Sequence, residues 1–293
     1  MSDEQSRRTP APVTVDLDRA LGQAPFRDCD SITVVVGAPI SDIGKGHLAA
    51  RLAAVAPGSS TVIKVDGILN TNVRGNHPAH DDDLATYRQF LPDVVMGWPN
   101  QILGGDVLRE FLDQYGGTDW EHLSFVPHLA KFFVVHLHRA WVEAGSPRHL
   151  VIELGGTIFD RELTTFVAPG LTMLREMRDV VQFVLLTTLE GSLEVPKTRG
   201  LQEHIARSAS MGIHYSFVAV RSLRLGSASA INKCAREIDA RLAERMTYPV
   251  APPVLLVPLF SEPGLVGYTE FLRAGVVPLL WRECHAGHFE RTR

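Results

Sequence analysis

Several residues in this chain are of types, and stand at spacings, suited to handling a phosphoryl group. The stretch VVVGAPISDIGKGHLAARLAAV, residues 34–55, runs from an apolar segment through glycines to Gly44-Lys45 and into a helical pattern. A helix that begins after such a loop offers unpaired N–H groups to an anion. Lys45 adds a cation at the same place, and Ser41 offers a hydroxyl within the loop. The pattern departs twice from the phosphate loop G-x-x-x-x-G-K-S/T. Six residues separate Gly37 from Gly44, and Gly46 replaces the hydroxyl that helps to hold Mg2+. A plain structural turn is the alternative; if the loop does bind phosphate, the magnesium ligand has to come from elsewhere. Two carboxylates are candidates. Glu153 ends the apolar run HLVIELGG, where a charge needs a cation or metal beside it. Asp81 opens the acidic run DDDLATYRQF, whose ordinary role would be a solvated helix start favoured by the dipole.

The elements that would position these residues are short Val-, Ile- and Leu-rich runs at 31–37, 60–66, 149–156, 180–188, 215–222 and 253–260. They are nearly continuous rather than alternating, as in strands buried on both faces. Helical patterns lie between them, at 46–55, 127–145 and 228–246. Such alternation predicts an α/β fold, a P-loop-type doubly wound, mostly parallel sheet with helices on both faces and ligands at the carboxyl ends of the strands. Residues 1–30 are expected to form a mobile arm, with Leu17, Leu21 and Phe26 able to dock a short helix. Residues 31–275 form the main domain and 276–293 a fraying tail, in which Cys284, His285 and His288 suggest metal less than they suggest a solvated terminus.

Bulk composition narrows the function classes. The 293 residues are 45% hydrophobic with a formal net charge of −4, enough for one large core. That balance gives no electrostatic reason to expect nucleic acid or an anionic membrane as partner. Three scattered cysteines show no metal spacing and no disulfide framework. Without a long uncharged apolar run or a signal-peptide pattern, a cytoplasmic protein is expected.

Taken in order, the motifs resemble the CTP synthase amidoligase (synthetase) domain family, whose loop reads S-S-x-G-K-G, with glycine after the lysine. The similarity continues through IKVDGILN (63–70), DDDLATYRQF (81–90), VPHL (126–129), VIELGGTIFDRE (151–162), KTRGLQ (197–202) and VRS (220–222), followed by Lys233. The resemblance implies ATP and Mg2+ as cofactors: ATP would phosphorylate the 4-oxygen of a uracil nucleotide, and ammonia would then displace the phosphate. By matched position, Lys45 and Lys64 would contact ATP phosphates, within a loop formed by Asp42, Ile43, Gly44, Lys45, Gly46 and His47. Asp81 and Glu153 would carry the metal. Lys197, Thr198, Arg199, Gln202 and Lys233 would hold the triphosphate of a UTP-like acceptor, while Ser41, Asp160 and Glu162 would line the nucleotide pocket. The family's active sites form between subunits, which implies a homo-oligomer.

The chain departs from the family at three places. It lacks the family's glutaminase half, so ammonia is expected free, from a separate glutaminase, or replaced by another amine. The segment after Asp66 is shortened and lacks the family's proline and tyrosine, which bears on the ammonia route and on subunit contacts. Ser124 replaces a glutamine, and the GD of GGTVGDIE reads Phe159-Asp160, so that a phenylalanine either stacks on a ligand ring or faces the core. These changes suggest a retained phosphorylating machinery with an altered acceptor, in specialised metabolism. An amide-forming or carboxylate-activating ligase, as in dethiobiotin synthetase, is an alternative, and a non-catalytic nucleotide-binding partner is another. For Lys197, Thr198 and Arg199 an exposed basic loop is the commoner alternative, and for His128 a structural role stands beside the resemblance.

Overall fold

The computed structural model describes residues 13–22, 25–38, 43–69, 82–116, 123–188, 190–191, 196–222, 228–245, 252–258 and 280. Ser41, Asp42, Asp81, Cys284, His285 and His288 lie outside these residues. In chain order the elements are α1 (Val13–Gly22), β1 (Ser31–Ala38), α2 (Lys45–Val55), β2 (Ser60–Asp66), α3 (Asp82–Phe90), β3 (Gln101–Leu103), α4 (Gly104–Tyr115), α5 (Ala130–Glu143), β4 (His149–Leu154), α6 (Arg161–Thr164), α7 (Val167–Met177), β5 (Val181–Thr188), β6 (Glu190–Gly191), β7 (Pro196–Lys197), α8 (Arg199–Ser210), β8 (Tyr215–Ser222), α9 (Ala228–Arg245) and β9 (Val254–Pro258). The apolar runs read as strands all become strands, with ends moved by one or two residues. Among the described residues, no helix is long and apolar enough to cross a membrane.

Seven strands form one sheet in the order β3-β2-β4-β1-β5-β8-β9, and every neighbouring pair is parallel. All eight residues of β1 and all six of β4 are buried, as expected of strands covered on both sides. The pleat divides their side chains between two layers. Val35, Val62, Val151, Val184 and Phe217 pack with α2 and α3 on one face. Val34, Ile63, Ile152, Phe183 and Val218 meet α1, α4, α5, α7, α8 and α9 on the other. The chain leaves β1 toward the first face and leaves β4 toward the second. Between these two adjacent strands, at their carboxyl ends, lies the crevice where a doubly wound sheet accepts ligands.

The amino-terminal stretch expected as an arm contributes to the core from α1 onward. Leu17, Leu21 and Phe26 are 2%, 6% and 0% exposed, so the short docked helix is the form observed. Phe26 takes φ 58° to reach its place, and its N–H donates to His138 Nδ1 at 3.2 Å. Within the expected tail, Leu280 is buried, and its carbonyl accepts from Gln182 Nε2 at 2.8 Å.

Candidate active site

The loop after β1 is built around two glycines with different tasks. Gly44, the residue before α2, has φ 91° and ψ 30°, a left-handed conformation costly for any residue with a Cβ. Its carbonyl takes the first helical hydrogen bond, from Leu48 N–H at 3.1 Å, which leaves the N–H groups of Lys45, Gly46 and His47 as helix-start donors. Gly37, near the end of β1, makes room for the lysine. A Cβ there would lie 2.7 Å from Lys45 Cδ and 3.2 Å from its Nζ. Lys45 therefore folds back across the strand end, only 5% exposed.

Gly46 explains the missing hydroxyl. A Cβ on residue 46 would sit 2.8 Å from Asp83 Oδ1 and 3.2 Å from Glu153 Oε2. The space that the usual Ser or Thr would fill is taken by two carboxylates, one from α3 and one from β4. Glu153 and Lys64 are register partners on β4 and β2, and both stand on the α2–α3 face because Val151 and Val62, two residues earlier, do. Helix α3 closes the group from above. Its first turn holds Asp82 and Asp83, which suit the positive end of the dipole, while Leu84 and Tyr87 bury its inner face. Asp83 Oδ2 pairs with Lys64 Nζ at 2.6 Å, and Lys64 also lies 3.8 Å from Asp66 Oδ2. One turn after Asp83, the Tyr87 hydroxyl donates to Glu153 Oε2.

The charge balance of this group is uneven. Burial, and next the negative charge of Asp83, push the Glu153 carboxyl up to about 8, opposed by the Tyr87 hydrogen bond and by Lys45 and Lys64. Two carboxylates held this close, with one nearly out of water, favour a cation between or beside them. Mg2+ binds oxygen donors and commonly uses one or two carboxylates, with substrate phosphates and water completing its shell. Glu153 and Asp83 around the space at Gly46, next to Lys45 and the helix-start N–H groups, fit a Mg2+–nucleotide triphosphate in donor type and charge. Asp83 was not among the residues singled out from sequence, and neither was Tyr87. Their spacing of four along a helical pattern was the available signal, because it places both on one face.

A second acidic group occupies the ends of β2 and β4 next to the first. Gly67, Gly155 and Gly156 each hold a carboxylate where a Cβ would be: Glu162 against Gly67, Asp66 against Gly155 and Asp160 against Gly156. Gly156 has φ 71°, and Asp160 Oδ2 accepts from the Thr157 N–H at 2.6 Å, which folds the turn tightly. Asp66 is 7% exposed and accepts from Gln101 Nε2 at 3.3 Å. The expected pocket residues Asp160 and Glu162 thus stand beside Asp66, the residue after which the chain is shortened relative to the family. Phe159, half-buried, packs against the core and against α8. Arg207 lies 4.1 Å over its ring, and the His204 ring centroid is 4.5 Å away. Ser124 engages His128 through its N–H, at 3.2 Å from Nδ1, so this histidine takes part in the turn before α5.

The expected triphosphate group lies elsewhere on the same edge. Thr198 is 5% exposed, and its hydroxyl accepts from Gln202 Nε2 at 2.9 Å. Lys197 and Lys233 are exposed, the first before α8 and the second on α9. Arg199, expected at the acceptor's triphosphate, pairs with Glu203 one turn along α8 at 2.9 Å and is 90% exposed. Helix α9 is tied to this region by Arg241 Nη1, which donates to the Pro196 carbonyl at 2.8 Å. Of the loop residues expected at the cofactor, Ile43 is buried in the core, and His47 faces the Phe90 ring at 6.1 Å.

Residues 31–262 match the family model described as CTP synthase N-terminus. The chain belongs to this family. Among curated relatives, the CTP synthase of Pyrobaculum calidifontis is 30% identical over 226 residues, 68% of this chain and 41% of that protein. The CTP synthase of Methanosphaerula palustris is 23% identical over 252 residues, covering 78% of this chain and 48% of the relative. That of Dictyostelium discoideum is 29% identical over 224 residues, covering 64% and 38%. The chain spans less than half the length of these CTP synthases.

Proposed function

We propose that this member of the CTP synthase N-terminal family is an ATP- and Mg2+-dependent C–N ligase. In this reading it transfers the γ-phosphoryl of ATP to a carbonyl oxygen of a phosphorylated acceptor, most simply the 4-oxygen of a uracil nucleotide. Ammonia or another amine then attacks the same carbon and expels inorganic phosphate. A carbonyl oxygen leaves poorly until it is phosphorylated, so the order of steps follows from the chemistry. The observation that carries the reading is the convergence of Glu153 and Asp83 on the space left by Gly46, with Lys64 paired to Asp83 and with both Lys45 and Lys64 acting on the Glu153 charge.

Each residue has a task in this reaction. The helix-start N–H groups and Lys45 hold the phosphates and stabilise charge as the phosphoryl group moves, where catalysis is mostly positioning and electrostatics. Lys64, poised between Asp83 and Asp66, supplies a second cation at the donor side. Bound Mg2+ would neutralise the phosphate oxygens, and Glu153 and Asp83 are the described residues suited to hold it, with Asp81 a further ligand by resemblance. Asp66, Asp160 and Glu162 offer hydrogen-bond acceptors to the hydroxyl or imide groups of an acceptor. The departures at Gly67 and Phe159 support an acceptor pocket shaped differently from that of the curated relatives, and hence a specialised metabolic role. A homo-oligomer is supported by the family resemblance.

The decisive measurement is ADP release from ATP, Mg2+ and ammonium in the presence of UTP, UMP or other phosphorylated carbonyl compounds. The reading expects acceptor-dependent ADP formation with a matching loss of ammonium, both absent in Lys45→Ala. Failure of every acceptor to raise ADP above the ATP-only background, or full turnover by Lys45→Ala, would sink it.

A further inference from the structure

We propose that Tyr87 is a positioning residue for the carboxylate of Glu153, setting the affinity of that carboxylate for a divalent cation; this rests on the metal-binding part of the function proposed above. Tyr87 is 0% exposed, and a phenol that deep needs a partner for its hydroxyl. The partner is Glu153 Oε2, on a side chain that is 4% exposed. Packing holds the phenol ring among Leu84, Leu91, Met96 and the α2 residues of the same apolar layer. The hydroxyl is therefore a fixed donor: it occupies one carboxylate oxygen and limits rotation of the group.

Helix α3 makes the arrangement paired. Asp83 and Tyr87 lie one turn apart, and the residues they engage, Lys64 and Glu153, are register partners on adjacent strands. One helix face thus orients both a cation and an anion of the site. Neither Leu nor Phe at position 87 would provide this, although either would fill the apolar layer. Groups that orient a ligating carboxylate commonly contribute roughly ten- to hundredfold in metal affinity.

The test uses the full chain with Mn2+ as probe, in the presence of a non-hydrolysable ATP analogue, and reads bound metal by electron paramagnetic resonance. Tyr87→Phe keeps the ring and its packing, so the melting temperature should stay within a few degrees while the Mn2+ dissociation constant rises about tenfold or more. In the double variant Tyr87→Phe/Glu153→Gln, the tyrosine change should add nothing to the loss caused by Glu153→Gln alone. Unchanged Mn2+ affinity in Tyr87→Phe, or full additivity in the double variant, would overturn the positioning role. Should Glu153→Gln by itself leave Mn2+ binding intact, the metal-site reading falls, and the proposal falls with it. A Glu153-dependent site indifferent to Tyr87 removes only the proposal.

Discussion

Gly46 is the residue at which local chemistry and the site's charge meet most directly. Helix propensity alone would favour alanine there by roughly 1 kcal/mol. The structure favours glycine for another reason: any Cβ would press on Asp83 Oδ1 and Glu153 Oε2 at 2.8 and 3.2 Å. Alanine has to displace at least one of the two carboxylates, and displacing Asp83 also disturbs its 2.6 Å pairing with Lys64. Gly46→Ala should therefore fold, since helix α2 gains a better helix former, yet lose about tenfold to a hundredfold in ATP turnover, because small misplacements at a reacting centre are costly. Serine, which would restore the usual phosphate-loop pattern, is expected to fail in the same way. Circular dichroism together with ADP release checks both variants. Activity equal to that of the parent in Gly46→Ser would show that the carboxylates do not occupy that space during turnover.

Among the elements, helix α8 is joined through aromatic contacts to the turn after β4, which the proposed reaction assigns to the acceptor. Phe159, in the turn after β4, lies under Arg207 and beside His204, and His204 Nε2 is 3.0 Å from the Tyr215 hydroxyl on β8. Burial first, and Arg207 next, hold the His204 imidazole down to about 4, against 6.5 when unfolded. The folded state then binds fewer protons than the unfolded chain between these values. The resulting stability is fully present above pH 6.5 and is lost as pH falls toward 4. Glu153, pushed up to about 8, acts in the opposite sense over the same range but equally in both the parent and His204→Gln. Between pH 7 and 5 the melting temperature of the parent should therefore fall by a few degrees relative to that of His204→Gln; parallel curves for the two proteins would remove His204 as a contributor. These contacts were not legible in the sequence, since nothing in the spacing from Phe159 to His204 or Arg207 announces that two distant segments meet. The strands were legible, because unbroken Val, Ile and Leu runs have few fates other than burial on both faces. The three-residue β3 was not, being too short for periodicity to show. Lys45 could be named as a candidate because it follows a glycine loop between an apolar run and a helical pattern, and Glu153 because it is a charge ending an apolar segment. Asp83 and Tyr87 were hidden within an acidic run, where three adjacent aspartates look alike until a helix selects the face.

For the whole molecule, parallel pairing of all seven strands brings the carboxyl ends of β1, β2, β4, β5 and β8 to one edge. With neighbouring strands about 4.8 Å apart, the four steps from β2 to β8 span about 19 Å. Lys45, Lys64 and Glu153, the donor-side groups of the proposed reaction, occupy the β2–β4–β1 part of that edge. Helices α8 and α9 return from β5 and β8, so the starts of both helices, and with them Lys197 and Lys233, lie toward the other part. In the proposed reaction this distance leaves room for two nucleotides and separates the cations by role. Lys197→Ala and Lys233→Ala should each raise the KM for a triphosphate acceptor such as UTP roughly tenfold or more, the value of one charge-assisted hydrogen bond. The KM for ATP should change by less than about twofold, because no donor-side group is touched. Both lysines are exposed, so the effect should shrink as ionic strength rises. Steady-state kinetics with ATP and acceptor varied in turn, at low and high salt, separate these outcomes. An equal rise in both KM values would place the two lysines at the donor, and no change in either would remove them from the site.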